Sequence, residues 1–411
     1  MNRLALTLFA VYAAWIFTLT STPVHAQKAT VTLGIDVLLA EGHPILAGKR
    51  IGLVTNPSGV NKDLVPTADL LAADRRWKLV RLFGPEHGIR GDVAAGEKVG
   101  DAVDPVTGIP VTSLYGKTKA PPKDILQTLD VLVFDIQDIG SRTYTYVSTL
   151  GECLVACAAA GRPIVVLDRP NPIGGVLFEG AVRDDKWTSF IGWSPMPVSH
   201  GMTLGETARW MKSKMSIDVD LHVVAMKGWT RTMQWEDTGL HWVPTSPHIP
   251  HALQARLYIA TGMIGGITVN VNEGVGYTLP FETIAAEWLD PTAVAAALAK
   301  MDVPGVAFRP LAYVPNYGKF AKKPLRGLQL IVTDRDTFRP LRTSLALLTA
   351  LEKVHPGKTE FENERSLSIH WGNEKIIPMI KAGADVATVE KTFAPGLETF
   401  AAERAKALIY R

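Results

Sequence analysis

The chain has 411 residues, 47% of them hydrophobic and 20% charged, with no low-complexity tract, as expected of a folded globular protein of two or three domains. Its formal net charge of +3 is small and evenly spread. No basic run, zinc-finger spacing or aromatic–basic stripe is present, which argues against nucleic acid as a partner.

Residues 1–26 begin with a basic position, Arg3, followed by an apolar run and then Pro23, Val24, His25 and Ala26, a small-residue cleavage pattern. The run approaches the length of a spanning helix, so a membrane anchor is the alternative. The Thr/Ser/Pro break and the small residue before Gln27 favour a cleaved signal peptide. The mature protein is therefore expected to be exported, free of the membrane, and periplasmic in a cell with two membranes.

Four short apolar runs follow, each leading into a polar or glycine-rich cluster. Residues 51–54 lead into TNPSG, residues 79–83 into GPEHG, residues 131–134 into DIQDIG, and residues 164–167 into DRPNP. Continuous apolar runs of this length suit strands buried on both faces of a parallel sheet. Helical patterns separate them at residues 67–75, 123–129 and 144–160, the last stopping at Gly161. Residues 88–122, rich in glycine and proline, interrupt the rhythm as a lid or cleft wall would. The only cysteines, Cys153 and Cys157, share one helix face and read as small buried hydrophobes, since a disulfide there would be strained.

Thr203, Leu204, Gly205 and Glu206 read as a capping box opening another helix, with Glu206 a cap and nothing more. Residues 221–225 resemble a fifth strand. The expected fold is α/β, a Rossmann-like parallel sheet with helices on both faces over residues 27–252. A smaller α+β C-terminal domain over residues 253–411 is expected from strand-like runs at 266–271 and 328–332. Helical runs at 294–301, 341–354 and 398–409 accompany them, with a cleft between the two domains.

Ligands of open α/β sheets bind at the carboxyl ends of the strands. If the strands are parallel, Asn56, Glu86, His87, Asp135, Gln137, Asp138, Asp168, Arg169 and Asn171 crowd one edge. No G-x-G-x-x-G follows a strand, and neither a Walker A motif nor a G-x-S-x-G elbow is present. Nucleotide binding and serine hydrolysis therefore lack their signatures. Glu86, behind Pro85, is either a general acid in a partly apolar pocket or a loop carboxylate paired with Arg90. His87 is open to orienting Glu86, binding substrate, ligating a metal or bonding structurally. Asp135 and Asp138 suit metal ligation or sugar hydroxyls, and Asp138 equally suits the amides near Gly140. Arg142 and Tyr144 could grip an anionic, hydroxyl-rich substrate, or Arg142 could neutralise the Asp pair. The role of His200 is open. Trp187, Phe190, Trp193, Trp229, Trp235 and Trp242 lie in loop-like sequence and suit sugar faces, although most tryptophans are simply core residues.

Several segments resemble the DUF1343 family, associated with exo-β-N-acetylmuramidases of the NamZ type. They are GIDVLL (34–39), GLVTNPSGV (52–60), LFGPEHGIRG (82–91) and VFDIQDIGSRTYTYVSTL (133–150). LDRPNPIGG (167–175), HGMTLGE (200–206) and VGYTLPFE (275–282) complete the set. The resemblance implies a Rossmann-like domain, a smaller domain and a cleft. It also implies release of N-acetylmuramic acid from the non-reducing end of peptidoglycan fragments, a sugar or muropeptide substrate. It makes Glu86 the preferred catalytic carboxylate. His87, Asp135, Gln137, Asp138, Arg142, Tyr144 and Asn171 become expected pocket residues, with Asn56, Arg90, His200, Glu273 and Tyr277 added on the substrate side.

One stretch departs from the family. Many members have FEGTN and then SxGRGT where this chain reads MIGGITVNVNEGVGYTLPFE (263–282). The FEGT glutamate has no clear counterpart, Val275 stands at the arginine position and Tyr277 at a threonine position; Glu273 is a displaced substitute for the missing acid. Glycoside cleavage usually needs two carboxyls, and the second role is open to Asp135, Asp138 or Glu273, or to the substrate's own acetamido group. The expected arrangement has Glu86 protonating the glycosidic oxygen, Asp135 or Asp138 opposite, and Arg142 facing the lactyl group, with no metal or cofactor required. The rivals are a non-catalytic periplasmic sugar-binding protein and a metal-dependent hydrolase using His87, Asp135 and Asp138.

Overall fold

The computed structural model describes residues 31–91, 102–116 and 118–411; the expected signal peptide lies outside the described residues. Among the described residues no helix is long and apolar enough to cross a membrane.

The larger sheet contains β1 (Arg50–Thr55), β2 (Lys78–Gly84), β3 (Ala102–Val103), β4 (Pro110–Ser113), β5 (Val131–Asp135), β6 (Ile164–Leu167) and β7 (Leu221–Val224). Their order is β3-β4-β2-β1-β5-β6-β7, parallel throughout except for β3 against β4. The four apolar runs are thus parallel neighbours, with Leu53 paired to both Leu82 and Val133. All five residues of β5 are buried because helices cover both faces of the sheet.

Alternate residues feed two cores. Ile51, Leu53, Val131 and Val133 pack with Ile35 and Leu38 of α1 (Gly34–Glu41) and Leu71 of α2 (Thr67–Ala73). Val54, Leu132 and Phe134 point the other way, towards α3 (Lys123–Gln127), α4 (Thr145–Ala160) and α5 (Leu204–Lys214). The connections leave in opposite directions on either side of β1 and β5, so a crevice opens at their carboxyl ends.

The chain then forms α6 (Ala252–Leu257), a π turn (Tyr258–Gly262), α7 (Met263–Gly265), β8 (Thr283–Ala286), α8 (Pro291–Leu298), β9 (Val306–Tyr313) and β10 (Leu325–Val332). Five helices end it: α9 (Pro340–Val354), α10 (Glu364–Trp371), α11 (Ile376–Lys381), α12 (Val386–Lys391) and α13 (Ala394–Ala405). The strands form a small antiparallel sheet, β8-β10-β9. Leu345 and Leu348 of α9 belong to the same apolar cluster as Leu132 and Leu150, so the two regions share one core.

Two expectations need correction, and one strand was not expected. Residues 266–271 are a turn and irregular backbone rather than a strand, with Thr268 making only an isolated bridge to Phe361. The 88–122 stretch contains β3 and β4, which extend the sheet beyond β2. β9 is an edge strand with Pro310 in it and mostly unburied residues, so it lacks the apolar run that marks an interior strand. Cys153 and Cys157 are free and buried on α4, and burial pushes the Cys157 thiol up to about 12.

Candidate active site

β2 ends at Gly84, and Pro85 to Gly88 make a tight turn closed by the Gly88 amide donating to the Pro85 carbonyl at 3.0 Å. His87 and Gly88 are both left-handed, at φ 72° and 71°, which is strained for a histidine. This turn lifts the half-buried Glu86 towards the start of α4, where the Thr145 hydroxyl donates to Glu86 Oε2 at 2.9 Å. α4 has neither a side-chain cap nor an acidic residue in its own first turn. Tyr115 follows just beyond β4, and burial together with the Glu86 charge pushes its phenol up to about 12.

Asp138, in the loop after β5, accepts the Gly140 amide on Oδ2 at 2.7 Å. Gly140 has φ 84°, and a Cβ there would collide with Asn171. The turn thus requires glycine. Asp138 Oδ1 is buried and has no hydrogen-bond partner. His200, fully buried, accepts the Met202 amide on Nδ1 at 3.2 Å, so its proton sits on Nε2, which faces Asp138 Oδ2 at 3.9 Å. That is too long for a direct hydrogen bond.

Tyr258, in the π turn, has its hydroxyl 3.4 Å from Thr143 Oγ1. Burial raises its phenol, and the charges of both Glu86 and Asp138 raise it further. A π turn inside a helix is a recurrent way of re-aiming a side chain at a functional site. Tyr144 meets the Tyr258 ring edge-on at 5.7 Å, and its hydroxyl lies 2.8 Å from Thr245 Oγ1. Tyr146 donates to the Thr245 carbonyl at 2.6 Å, so both tyrosines pin the loop leading to His248.

Several expected site residues are committed elsewhere. Asp135 is fully buried, held by Arg169 through Nε–Oδ1 at 2.6 Å and NH2–Oδ2 at 2.7 Å, and by the Thr67 hydroxyl at 2.5 Å. Both its oxygens are occupied, which removes it as a catalytic candidate. Gln137 donates to the carbonyls of Asp138 and Pro170, and Asn171 bridges the Ile173 amide and the Met202 carbonyl. Asn56 accepts from the Ser58 amide and hydroxyl, closing the turn after β1. Arg90 pairs with Asp104 and Asp69, not Glu86.

Arg142 does not face the substrate crevice as expected: it donates to the carbonyls of Ile369 and His370, capping the end of α10. Burial, with Arg183 nearby, pulls its guanidinium down to about 9. Glu273 lies against Gly265, and burial raises its carboxyl. Tyr277 stacks on Tyr313 at 4.4 Å, inside the smaller sheet's own cluster. Glu206 does more than cap α5: it also pairs with Arg231 and accepts the amides of Ile409 and Tyr410. Trp229 and Trp235 are core residues. Among the described residues, no group of three His, Cys, Asp or Glu side chains is arranged to hold a metal ion.

Residues 51–253 match the family described as "Exo-beta-N-acetylmuramidase NamZ, N-terminal", and residues 256–410 match its C-terminal counterpart. The chain belongs to the NamZ exo-β-N-acetylmuramidase family. It is 43% identical over 385 residues to the peptidoglycan β-N-acetylmuramidase NamZ of Bacillus subtilis strain 168, covering 94% of this chain and 92% of that one. Two crystal structures of DUF1343 family proteins from Bacteroides fragilis NCTC 9343 share the fold. One has a TM-score of 0.88 at 37% identity, covering 93% of this chain and all of that one. The other has a TM-score of 0.75 at 26% identity, covering 93% and 99%.

Within this NamZ-family site, sequence reasoning missed Tyr115, Thr145, Tyr258 and His248. Thr145 lies inside the segment RTYTY, and its signal was its place at the start of a helix with no acidic cap. Tyr115 follows a strand hidden in the glycine-rich excursion. Tyr258 carries no sequence signal, because its orientation depends on the π turn.

Proposed function

We propose that the chain is an exo-acting β-N-acetylmuramidase, a glycoside hydrolase that releases N-acetylmuramic acid from the non-reducing end of peptidoglycan fragments. The observation that carries this reading is the placement of Glu86 and Asp138 just beyond the ends of β2 and β5, on either side of β1, at the crevice of the sheet. Glu86 protonates the glycosidic oxygen as the bond to the anomeric carbon breaks. Thr145 aims the Glu86 carboxyl through its hydroxyl. Asp138 is anchored through one oxygen and keeps the other without a hydrogen-bond partner, and its negative charge at the crevice favours the oxocarbenium-like transition state. His200 stands behind Asp138 and keeps its proton directed at it. Export through residues 1–26 would bring this activity to the cell wall.

The test is hydrolysis of a chromogenic N-acetylmuramide by wild type and Glu86→Gln. Turnover in the wild type that is abolished by the substitution supports the glycosidase. Binding without turnover in the wild type points to a sugar-binding protein instead. Loss of turnover with EDTA points to a metal hydrolase, and equal activity in the variant removes Glu86 as the acid.

A further inference from the structure

Burial changes steeply across the site. His200 is fully buried and Asp138 is 6% exposed, Glu86 is half-buried, and Tyr317 is 53% exposed. Tyr317 lies in the loop between β9 and β10. Its ring lies nearly parallel to that of His248, at 20° with centroids 6.1 Å apart, and its hydroxyl is 3.2 Å from His248 Nε2. His248 lies three residues beyond Thr245, which is held by the hydroxyls of Tyr144 and Tyr146, the two residues that flank Thr145, the partner of Glu86. The start of α4 and the 245–248 loop therefore connect Glu86 to an exposed aromatic side chain.

The loop is built rather than loose. The Asn316 amide donates to the Gly276 carbonyl at 2.7 Å, and the Lys322 amide to the Pro315 carbonyl at 2.8 Å. Gly276 has φ 93°, and a Cβ there would collide with the Tyr317 carbonyl. Behind it, Tyr277 stacks on Tyr313, whose hydroxyl donates to Asn272 at 2.6 Å. The stretch in which this chain departs from the family pattern is thus the support on which Tyr317 stands.

An exo-acting enzyme holds the terminal sugar at the closed end of its site and lets the rest of the chain leave through the open side. We propose that Tyr317, backed by His248, is the stacking platform for the sugar on the leaving-group side of the scissile bond, the N-acetylglucosamine residue of peptidoglycan. This rests on the exo-muramidase reading of the site. The apolar C–H face of a pyranose fits an exposed aromatic face, and the neighbouring imidazole keeps the ring from rotating away.

The experiment compares Tyr317→Ala and Tyr317→Trp with wild type on two substrates. One is the disaccharide N-acetylmuramyl-β-1,4-N-acetylglucosamine; the other is β-N-acetylmuramyl fluoride, whose leaving group fills no platform. Tyr317→Ala is expected to lose about ten-fold more in kcat/KM on the disaccharide than on the fluoride, mostly through KM. Tyr317→Trp, which keeps a ring face, is expected to recover most of that loss. An active wild type with equal losses on both substrates, or with no loss on the disaccharide, overturns the platform alone. A wild type silent on both substrates overturns the muramidase reading and the platform with it.

Discussion

Thr145 Oγ1 donates to Glu86 Oε2 at 2.9 Å, joining the turn after β2 to the first residue of α4 across 59 positions of sequence. This bond selects one rotamer of a half-buried carboxylate and holds it where the amides of a helix start converge. Thr145→Val should therefore lower kcat by about ten-fold while moving KM little, and Thr145→Ser should restore it. Steady-state kinetics on a chromogenic N-acetylmuramide measures both. An unchanged kcat in the valine variant would show that the bond does not position the acid.

Glu86→Gln retains an acceptor for Thr145 but supplies no acidic proton. It should lower kcat by about 10²–10⁴-fold at an unchanged thermal midpoint. Kinetics and a melting curve on the same preparation separate lost chemistry from lost folding.

Asp138→Asn leaves an acceptor for the Gly140 amide and removes the charge that faces Tyr258. Its effect should fall on kcat, and the Tyr258 phenol should ionise at lower pH. Difference ultraviolet absorbance through an alkaline titration of the variant and of Asp138→Asn/Tyr258→Phe reads that shift.

Asp135 and Arg169 form a bidentate pair with almost no solvent contact. Arg169→Met should destabilise the fold by about 3–5 kcal/mol, since it leaves a buried carboxylate without its cation. Adding Asp135→Leu should recover much of that loss. Urea unfolding of the two variants tests this, and a single variant as stable as wild type would contradict it.

Asp168 is fully buried and accepts from Tyr410, Thr203 and Gly205, yet burial pushes its carboxyl up to about 6. The native state therefore holds this proton more tightly than the unfolded chain does. Its contribution to stability is full below about pH 4 and is lost as pH rises to about 6, an effect of order 2–3 kcal/mol. The stability of wild type relative to Asp168→Asn should accordingly fall across that window. Chemical unfolding at pH 4, 5, 6 and 7 measures the difference; a flat profile refutes the assignment.

The parallel sheet was legible because β1, β2, β5 and β6 are short apolar runs, each stopped by turn-forming residues. The capping box at Thr203 and the Gly161 stop were equally local, and both occur as expected. β9 was not legible, because half-exposed edge strands do not write a continuous apolar pattern. The clustering of polar residues at one sheet edge identified the site but could not rank its members.

By itself, the sequence determined the strand ends, and with them the sheet edge that carries Glu86 and Asp138, since strand formation and turn chemistry depend on neighbours along the chain. Only the tertiary structure decided which polar groups serve the crevice and which hold the fold. Asp135 ends β5 and Asp138 lies three positions on, in the loop that follows. One is neutralised by Arg169 from the next strand end, and the other keeps an oxygen without a partner. That difference depends on contacts between residues distant in sequence, and so does the bond between Thr145 and Glu86.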